Sequence, residues 1–442
     1  MNQVKLKRGL DIKLKGCAER KVVDAASCEV VALVPDDFYG IVPKLLVREG
    51  DAVKIGTPVF YDKNHPEVKV VSPVCGEVKA VNRGERRKIM SVEIALSGEQ
   101  NQEEIDAPKE DVFKILLETG LFAFFKQRPY DIVADPNAMP KAIFISAFDS
   151  APLAPDYDFV LADEKAYFQK GVDELAKLSE VYVGVRANSI FADVQNAKVT
   201  AFDGPHPAGN VGVQINHLNP INKGEVVWVV NPADVAIIGK YFATGKLDFT
   251  RIVALAGSEV KNPCYVRAML GAPISAVVNG NVNKDRTLRY INGNPLSGVQ
   301  TAENAYLSAV AHQVTIIPEG DDVNEMLGWI APRFSQFSVS RSYFSWLRNL
   351  FCKQGYTLDA RVKGGERHMI MSGEYDSVLP MDILPEYLIK AIIAWDIDKM
   401  EALGIYEVAP EDFALCEFVD SSKLELQHIV RKGLDDLREE MA

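Results

Sequence analysis

The stretch Gly40-Ile41-Val42-Pro43-Lys44-Leu45-Leu46-Val47-Arg48-Glu49-Gly50-Asp51-Ala52-Val53-Lys54-Ile55-Gly56 alternates short β-type runs with glycine turns. The theme returns at Val68–Val71, Ser72-Pro73-Val74-Cys75-Gly76 and Glu77–Val81. Two of the turns echo each other: Val47-Arg48-Glu49-Gly50-Asp51 matches Val81-Asn82-Arg83-Gly84-Glu85, and the same offset lays Lys54-Ile55 over Lys88-Ile89. Glycine suits such turns because it accepts positive φ at no steric cost. Short strands at this spacing predict a small closed β unit over 40–97, two halves folded on each other as a barrel-sandwich hybrid.

Working outward, the chain has 442 residues, 48% hydrophobic and 25% charged. At roughly 100–200 residues per domain this predicts about three domains with ample core. The formal net charge of −12 argues against nucleic-acid binding, which rests on phosphate neutralisation by Lys and Arg. No apolar run reaches the ~18–20 residues of a membrane helix. The basic start MNQVKLKRGLDIKLKG has no apolar segment, so it does not read as a secretory signal. Six cysteines lie far apart with no CxxC pair, which predicts reduced, isolated thiols.

Residues 1–39 form an N-terminal segment, and the polar, acidic 98–110 reads as a linker. Over 111–256, helical patterns alternate with strand candidates. The helices are Asp111–Thr119, Glu164–Leu178 and Pro232–Ala243; the strands are Ala142–Ser146, Val181–Val185, Val199–Phe202, Val226–Val230 and Ile252–Ala256. That order predicts an α/β layer on a largely parallel sheet. Residues 257–330 return to β character, and 331–442 end in helices, the last an amphipathic one over Lys423–Arg438.

Four motifs bear on function. Gly239 to Leu247 resembles a phosphate loop, but the glycine spacing is one too long and Leu247 stands where Ser or Thr would bind magnesium, so a helix with a glycine cap is expected. Lys63, in Tyr61-Asp62-Lys63-Asn64-His65-Pro66, sits at the hairpin where biotinyl and lipoyl domains carry their cofactor; an unmodified hairpin is the plainer reading. Asp203-Gly204-Pro205-His206-Pro207-Ala208-Gly209 follows a strand and presents His206 where open α/β sheets bind ligands, either to a quinone carbonyl or to a backbone group. The aromatic and basic stretch 333–353, with Arg341 and Arg348, reads either as a docking surface near a membrane or as a hairpin with buried aromatics.

Several segments carry a family resemblance. Val4–Asp11, Phe60–Lys69, Val81–Gly84, Phe202–Gly209, Phe337–Ser342 and Asp412–Val419 run in order along nearly the whole chain. They resemble the A-subunit family of bacterial sodium-translocating NADH:quinone reductases. The resemblance implies a peripheral protein on the cytoplasmic face of the inner membrane, docked on five further subunits, B to F. The complex uses NADH, flavins, iron centres and ubiquinone; this chain is expected to bind none of the redox cofactors and to make at most a quinone contact, with Asp203 and His206 as candidates. It further implies an α/β multidomain fold: the biotinyl/lipoyl-like barrel-sandwich hybrid, a Rossmann-like layer similar to the NADH-binding subunit of complex I, a β-grasp-like soluble-ligand-binding domain and a helical C-terminus. Those relatives bind flavin on a glycine-rich loop and an iron cluster at the helical end. Here Gly120-Leu121-Phe122-Ala123-Phe124-Phe125 is bulky, and only Cys416 remains, with Asp420 where the family often has a second cysteine.

Two other functions stay in view: a flavin-containing NADH dehydrogenase, which would purify yellow, and a carrier, which would show added mass at Lys63. A planar ligand would lie in an aromatic crevice between the α/β layer and the 257–317 region, near 203–209. Reversing Arg341 and Arg348 to Glu is predicted to weaken assembly, scored by co-purification of the membrane subunits; undiminished assembly refutes the docking role.

Overall fold

The glycine-turned stretch folds into two small facing sheets. Val30–Leu33, Ile89–Leu96, Gly76–Arg83 and Ala52–Val53 form one; Pro43–Leu45, Pro58–Asp62 and Lys69–Val71 form the other. Alternate side chains point inward, and Val31, Val59, Phe60, Val78, Val92 and Ile94 are buried between them. Gly76 is required by close approach, since a Cβ there would fall on the carbonyl oxygen of Ala95 in the paired strand. In this computed structural model all residues are described except 1, 106, 107, 109, 324–332, 335, 340–342, 346, 348–354 and 442. Arg341 and Arg348 thus lie outside the described residues.

The α/β stretch builds a seven-stranded mixed sheet. Its order is Asn2–Lys5, Lys198–Asp203, Glu180–Val185, Ala142–Ser146, Val227–Val229, Lys126–Arg128, Ile132–Val133, the first five pairing in parallel and Lys126–Arg128 antiparallel to both of its neighbours. The central strand feeds two cores by its period of two. Ile143 and Ile145 pack with helix Lys165–Leu175, whereas Ala142 and Phe144 face the C-terminal helices. The phosphate-loop look-alike is the end of helix Pro232–Thr244, closed by Gly245 at φ +72°. Its Gly239 has a packing reason: a Cβ there would strike the carbonyl oxygen of Tyr167, and Gly171 approaches Val235 just as closely. Two helices cross on these glycines.

The second sheet has the order Val299–Thr301, Leu288–Asn292, Gln313–Pro318, Thr250–Ala256, Cys264–Met269, Val22–Asp24. The strand read at Ile252–Ala256 pairs here and not in the seven-stranded sheet. Its apolar run dictates a buried strand but not which sheet receives it; pairing with Cys264–Met269 decides that. The C-terminal region is helical, ending in Leu426–Met441, whose Leu426, Val430, Leu434 and Leu437 are buried against Pro385–Ala394 and the α/β sheet. Among the described residues no helix is long and apolar enough to cross a membrane.

The first 33 residues supply one strand to each of three sheets: Asn2–Lys5 to the seven-stranded, Val22–Asp24 to the six-stranded and Val30–Leu33 to the four-stranded. Gly16, at φ +90°, lies where a Cβ would fall on the carbonyl of Gly257. Substituting Gly239→Val is predicted to overpack the helix crossing and destabilise the protein by about 1–3 kcal/mol or more. Thermal unfolding checks this, with the open site Gly98→Ala as an unaffected control.

Candidate functional site

Strands Ala142–Ser146 and Val227–Val229 neighbour each other at the centre of the parallel sheet, and the strand order reverses between them: from the first the chain steps outward to Glu180–Val185 and Lys198–Asp203, then crosses back to the second. Such a switch point opens a crevice beyond the carboxyl ends of the strands. Here a cavity of about 260 Å³ lies at Ser146, Val229 and Val230. One wall holds the turn carrying His206 and Gly209 and the starts of helices Val211–Leu218 and Pro232–Thr244; the other comes from the second sheet through Asn294, Leu296, Ser297, Val310 and His312. Phe124, Phe148 and Tyr157 make it aromatic, and Glu411 and Ala414 of the helical region complete the lining.

His206 reaches this crevice because its turn is fastened on both sides. Leu6 N donates to Asp203 O at 2.8 Å, Leu10 N to His206 O at 2.8 Å, and His206 N to Asp11 Oδ1 at 2.9 Å. Arg186 donates to the carbonyls of Phe202 and Gly204 and stacks on Phe148. Ser150 Oγ accepts from Gly209 N at 2.8 Å and lies 3.0 Å from His206 Nδ1. In the tautomer in which the hydroxyl donates to Nδ1, the imidazole proton sits on Nε2. Burial holds the ring well below the ordinary histidine range, at about 4, so it is neutral at pH 7. Asp203 contributes its backbone carbonyl to the turn; its side chain is exposed and does not line the crevice.

The charges around the crevice are already spoken for. Arg128, 1% exposed, donates to Asp412 Oδ2 at 2.6 Å and to Glu411 Oε1 at 2.7 Å. Lys126 pairs with Asp131 at 3.6 Å. Asp234 stands in the first turn of helix Pro232–Thr244, behind the Asn231 cap, and accepts from Arg251 Nη2 at 2.7 Å. Burial pushes its carboxyl up to about 6, against the opposing pull of Arg251. A helix start at a switch point is where a phosphate would otherwise sit; here a carboxylate occupies that turn. Sequence reasoning missed Arg128, Asp234, Arg251 and His312. Only Asp234 had a signal, the Asn231-Pro232 helix start three residues ahead of it.

The remaining candidates lie elsewhere. Residues Leu121–Phe125 are buried, with Phe122 and Phe125 packed on Trp228 at 5.2 and 5.8 Å and Phe124 on Phe38 at 5.7 Å. A flavin phosphate needs bare backbone, so this segment does not fit one. Lys63 is exposed between Pro58–Asp62 and Lys69–Val71, its N donating to Val42 O. Cys416 is buried and its thiol is pushed up by burial. Asp420 holds the next turn, accepting from Ser422 N and Leu424 N. Among the described residues no three His, Cys, Asp or Glu are grouped to hold a metal ion.

The depressed His206 titration has a sign. An unfolded histidine takes its proton near pH 6.5 while the folded one resists until about 4, so stability is fully present above 6.5 and falls as pH drops through that window. Relative to His206→Gln, the wild type is predicted to lose stability between these pH values, measured by urea unfolding; parallel curves would refute it.

Comparison with known proteins agrees with this architecture. Residues 4–97 match the NqrA N-terminal barrel-sandwich hybrid domain, 107–247 the NqrA second alpha/beta domain and 252–303 the NQRA C-terminal domain. The A-subunits of the Na(+)-translocating NADH-quinone reductases of Serratia proteamaculans, Rhodopirellula baltica and Neisseria meningitidis are 37%, 36% and 36% identical. Each alignment covers 99% of this chain and 98–100% of the relative. With its barrel, its α/β layer and its full length all matched, the chain belongs to the NqrA family, the A-subunits of the Na(+)-translocating NADH-quinone reductases.

Proposed function

We propose that this chain serves as the peripheral A-subunit of a sodium-translocating NADH:ubiquinone reductase. In this reading it docks on the cytoplasmic face of the bacterial inner membrane against the B to F subunits, carries no redox cofactor itself, and contacts ubiquinone in the switch-point crevice at His206. Asp203 acts through the turn that it fastens. NADH, flavins and iron centres belong to the rest of the complex, and sodium crosses in the subunits that span the bilayer.

The observation that carries the quinone contact is the neutral, buried His206 in a crevice with aromatic walls. A neutral imidazole N–H donates to a carbonyl without demanding a charged partner. Against a nucleotide stand Asp234 at the helix start and the buried phenylalanines over Leu121–Phe125. The switch-point sheet supports a Rossmann-like layer over 111–256, and the small mixed sheet beyond it a β-grasp-like domain over 257–330, between the barrel at 40–97 and the helical 331–442. Exposed Tyr387, Ile393 and Trp395 on and after helix Pro385–Ala394 support docking through the helical end, the region that also contains Arg341 and Arg348.

Short-chain ubiquinone is predicted to bind the full chain, and His206→Ala to weaken it about tenfold, the worth of one hydrogen bond of ~1–1.5 kcal/mol. Calorimetry decides: unchanged affinity in the variant, or tight binding of FMN, overturns the reading.

A further inference from the structure

The crevice has a second imidazole on its opposite wall. His312 precedes strand Gln313–Pro318, is 8% exposed, and its Nδ1 has no hydrogen-bond partner. Arg251 Nη1 lies 3.4 Å from its Nε2. A guanidinium only donates, so Nε2 is the accepting nitrogen and the proton resides on Nδ1. Arg251 is itself set by Asp234 and by the face of Phe124, 5.0 Å away. Burial and the neighbouring guanidinium both keep the ring neutral. The chain Asp234–Arg251–His312 therefore fixes one tautomer and leaves one N–H unsatisfied. An orphaned buried donor is costly, and native folds keep few of them.

We propose, building on the quinone reading above, that His312 Nδ1–H is a second hydrogen-bond donor of the crevice. It recognises an acceptor oxygen of an uncharged planar ligand that bridges the two walls, with His206 Nε2–H on the other side. The charge inventory selects the class. The two cations on the walls, Lys126 and Arg128, are ion-paired, while Asp131, Asp149, Asp234 and Glu411 also line the space. A phosphate or carboxylate ligand would meet carboxylates; a carbonyl meets two neutral donors. Neither imidazole needs to exchange a proton, because binding is the whole of the role.

The experiment uses the full chain, 2,3-dimethoxy-5-methyl-1,4-benzoquinone as the probe, calorimetry for affinity and ¹⁵N NMR of the imidazoles. His312→Phe is expected to lower affinity about tenfold, whereas His312→Gln, which keeps an N–H donor, stays within about threefold of wild type. In the wild type the Nδ1–H resonance, assigned by its absence in His312→Gln, shifts on adding the quinone. If the quinone binds and His206→Ala weakens it while His312→Phe does not, the second donor is refuted and the quinone reading stands. If the wild type does not bind at all, the quinone reading itself falls. Should His312→Phe fail to fold by circular dichroism, the resonance decides: a signal that the quinone leaves unmoved, as a buried water partner would give, overturns the proposal. FMN binding as tightly as the quinone overturns the uncharged class.

Discussion

Pairing of the N-terminal segment with three separate sheets is the constraint on which the rest of the arrangement depends. A strand that adds to a sheet edge satisfies a row of backbone donors and acceptors, and its register is fixed by the side chains it buries. Asn2–Lys5, Val22–Asp24 and Val30–Leu33 do this in succession. The intervening chain lies so close to its neighbours that Gly9 and Gly16 have no room for a side chain, one against His206 and the other against Gly257. The barrel, the α/β layer and the second sheet are thereby tied to one short strap, and the crevice between two of them inherits its shape from it. The His206 turn hangs on the same strap through Leu6, Leu10 and Asp11.

Buried charge completes the joints. Arg128, on the strand next to one edge of the seven-stranded sheet, meets Asp412 from the helical end, and Arg251 of the second sheet meets Asp234 of the α/β layer. Such pairs contribute little net stability, because desolvation consumes most of the attraction, but removing one partner strands the other at a cost of about 3–5 kcal/mol. Their value lies in geometry: each can be satisfied only when two layers sit in one relative position. They also leave the crevice without a spare cation among the described residues, which separates it chemically from a phosphate-binding switch point of the same shape.

Local patterns were legible in the sequence to the extent that they encode local physics. The glycine turns of 40–97, the apolar face Val112–Ile115–Leu116, the face Phe168–Val172–Leu175 and the cap at Gly245 all read directly, because turn chemistry and period belong to neighbouring residues. Strand Ile252–Ala256 was visible as a strand but not as a member of the second sheet, since pairing is a property of distant chain. The three N-terminal strands are only three or four residues long, two of them partly polar, and nothing in them announces a partner. At the site, the turn at 203–209 stood out through its prolines and glycines. His312 and Arg251 did not, because a lone histidine or arginine acquires meaning only from what burial places beside it.

The strap has a consequence for how the protein is made. During synthesis the first 33 residues leave the ribosome before any of the strands that they join, and their partners near residues 92–95, 200–203 and 265–267 follow much later. Contacts so distant in sequence are slow to form. Edge-forming segments must therefore wait unpaired while translation proceeds, the strand Val22–Asp24 longest of the three. Until then they are exposed, unpaired backbone of the kind through which growing chains aggregate.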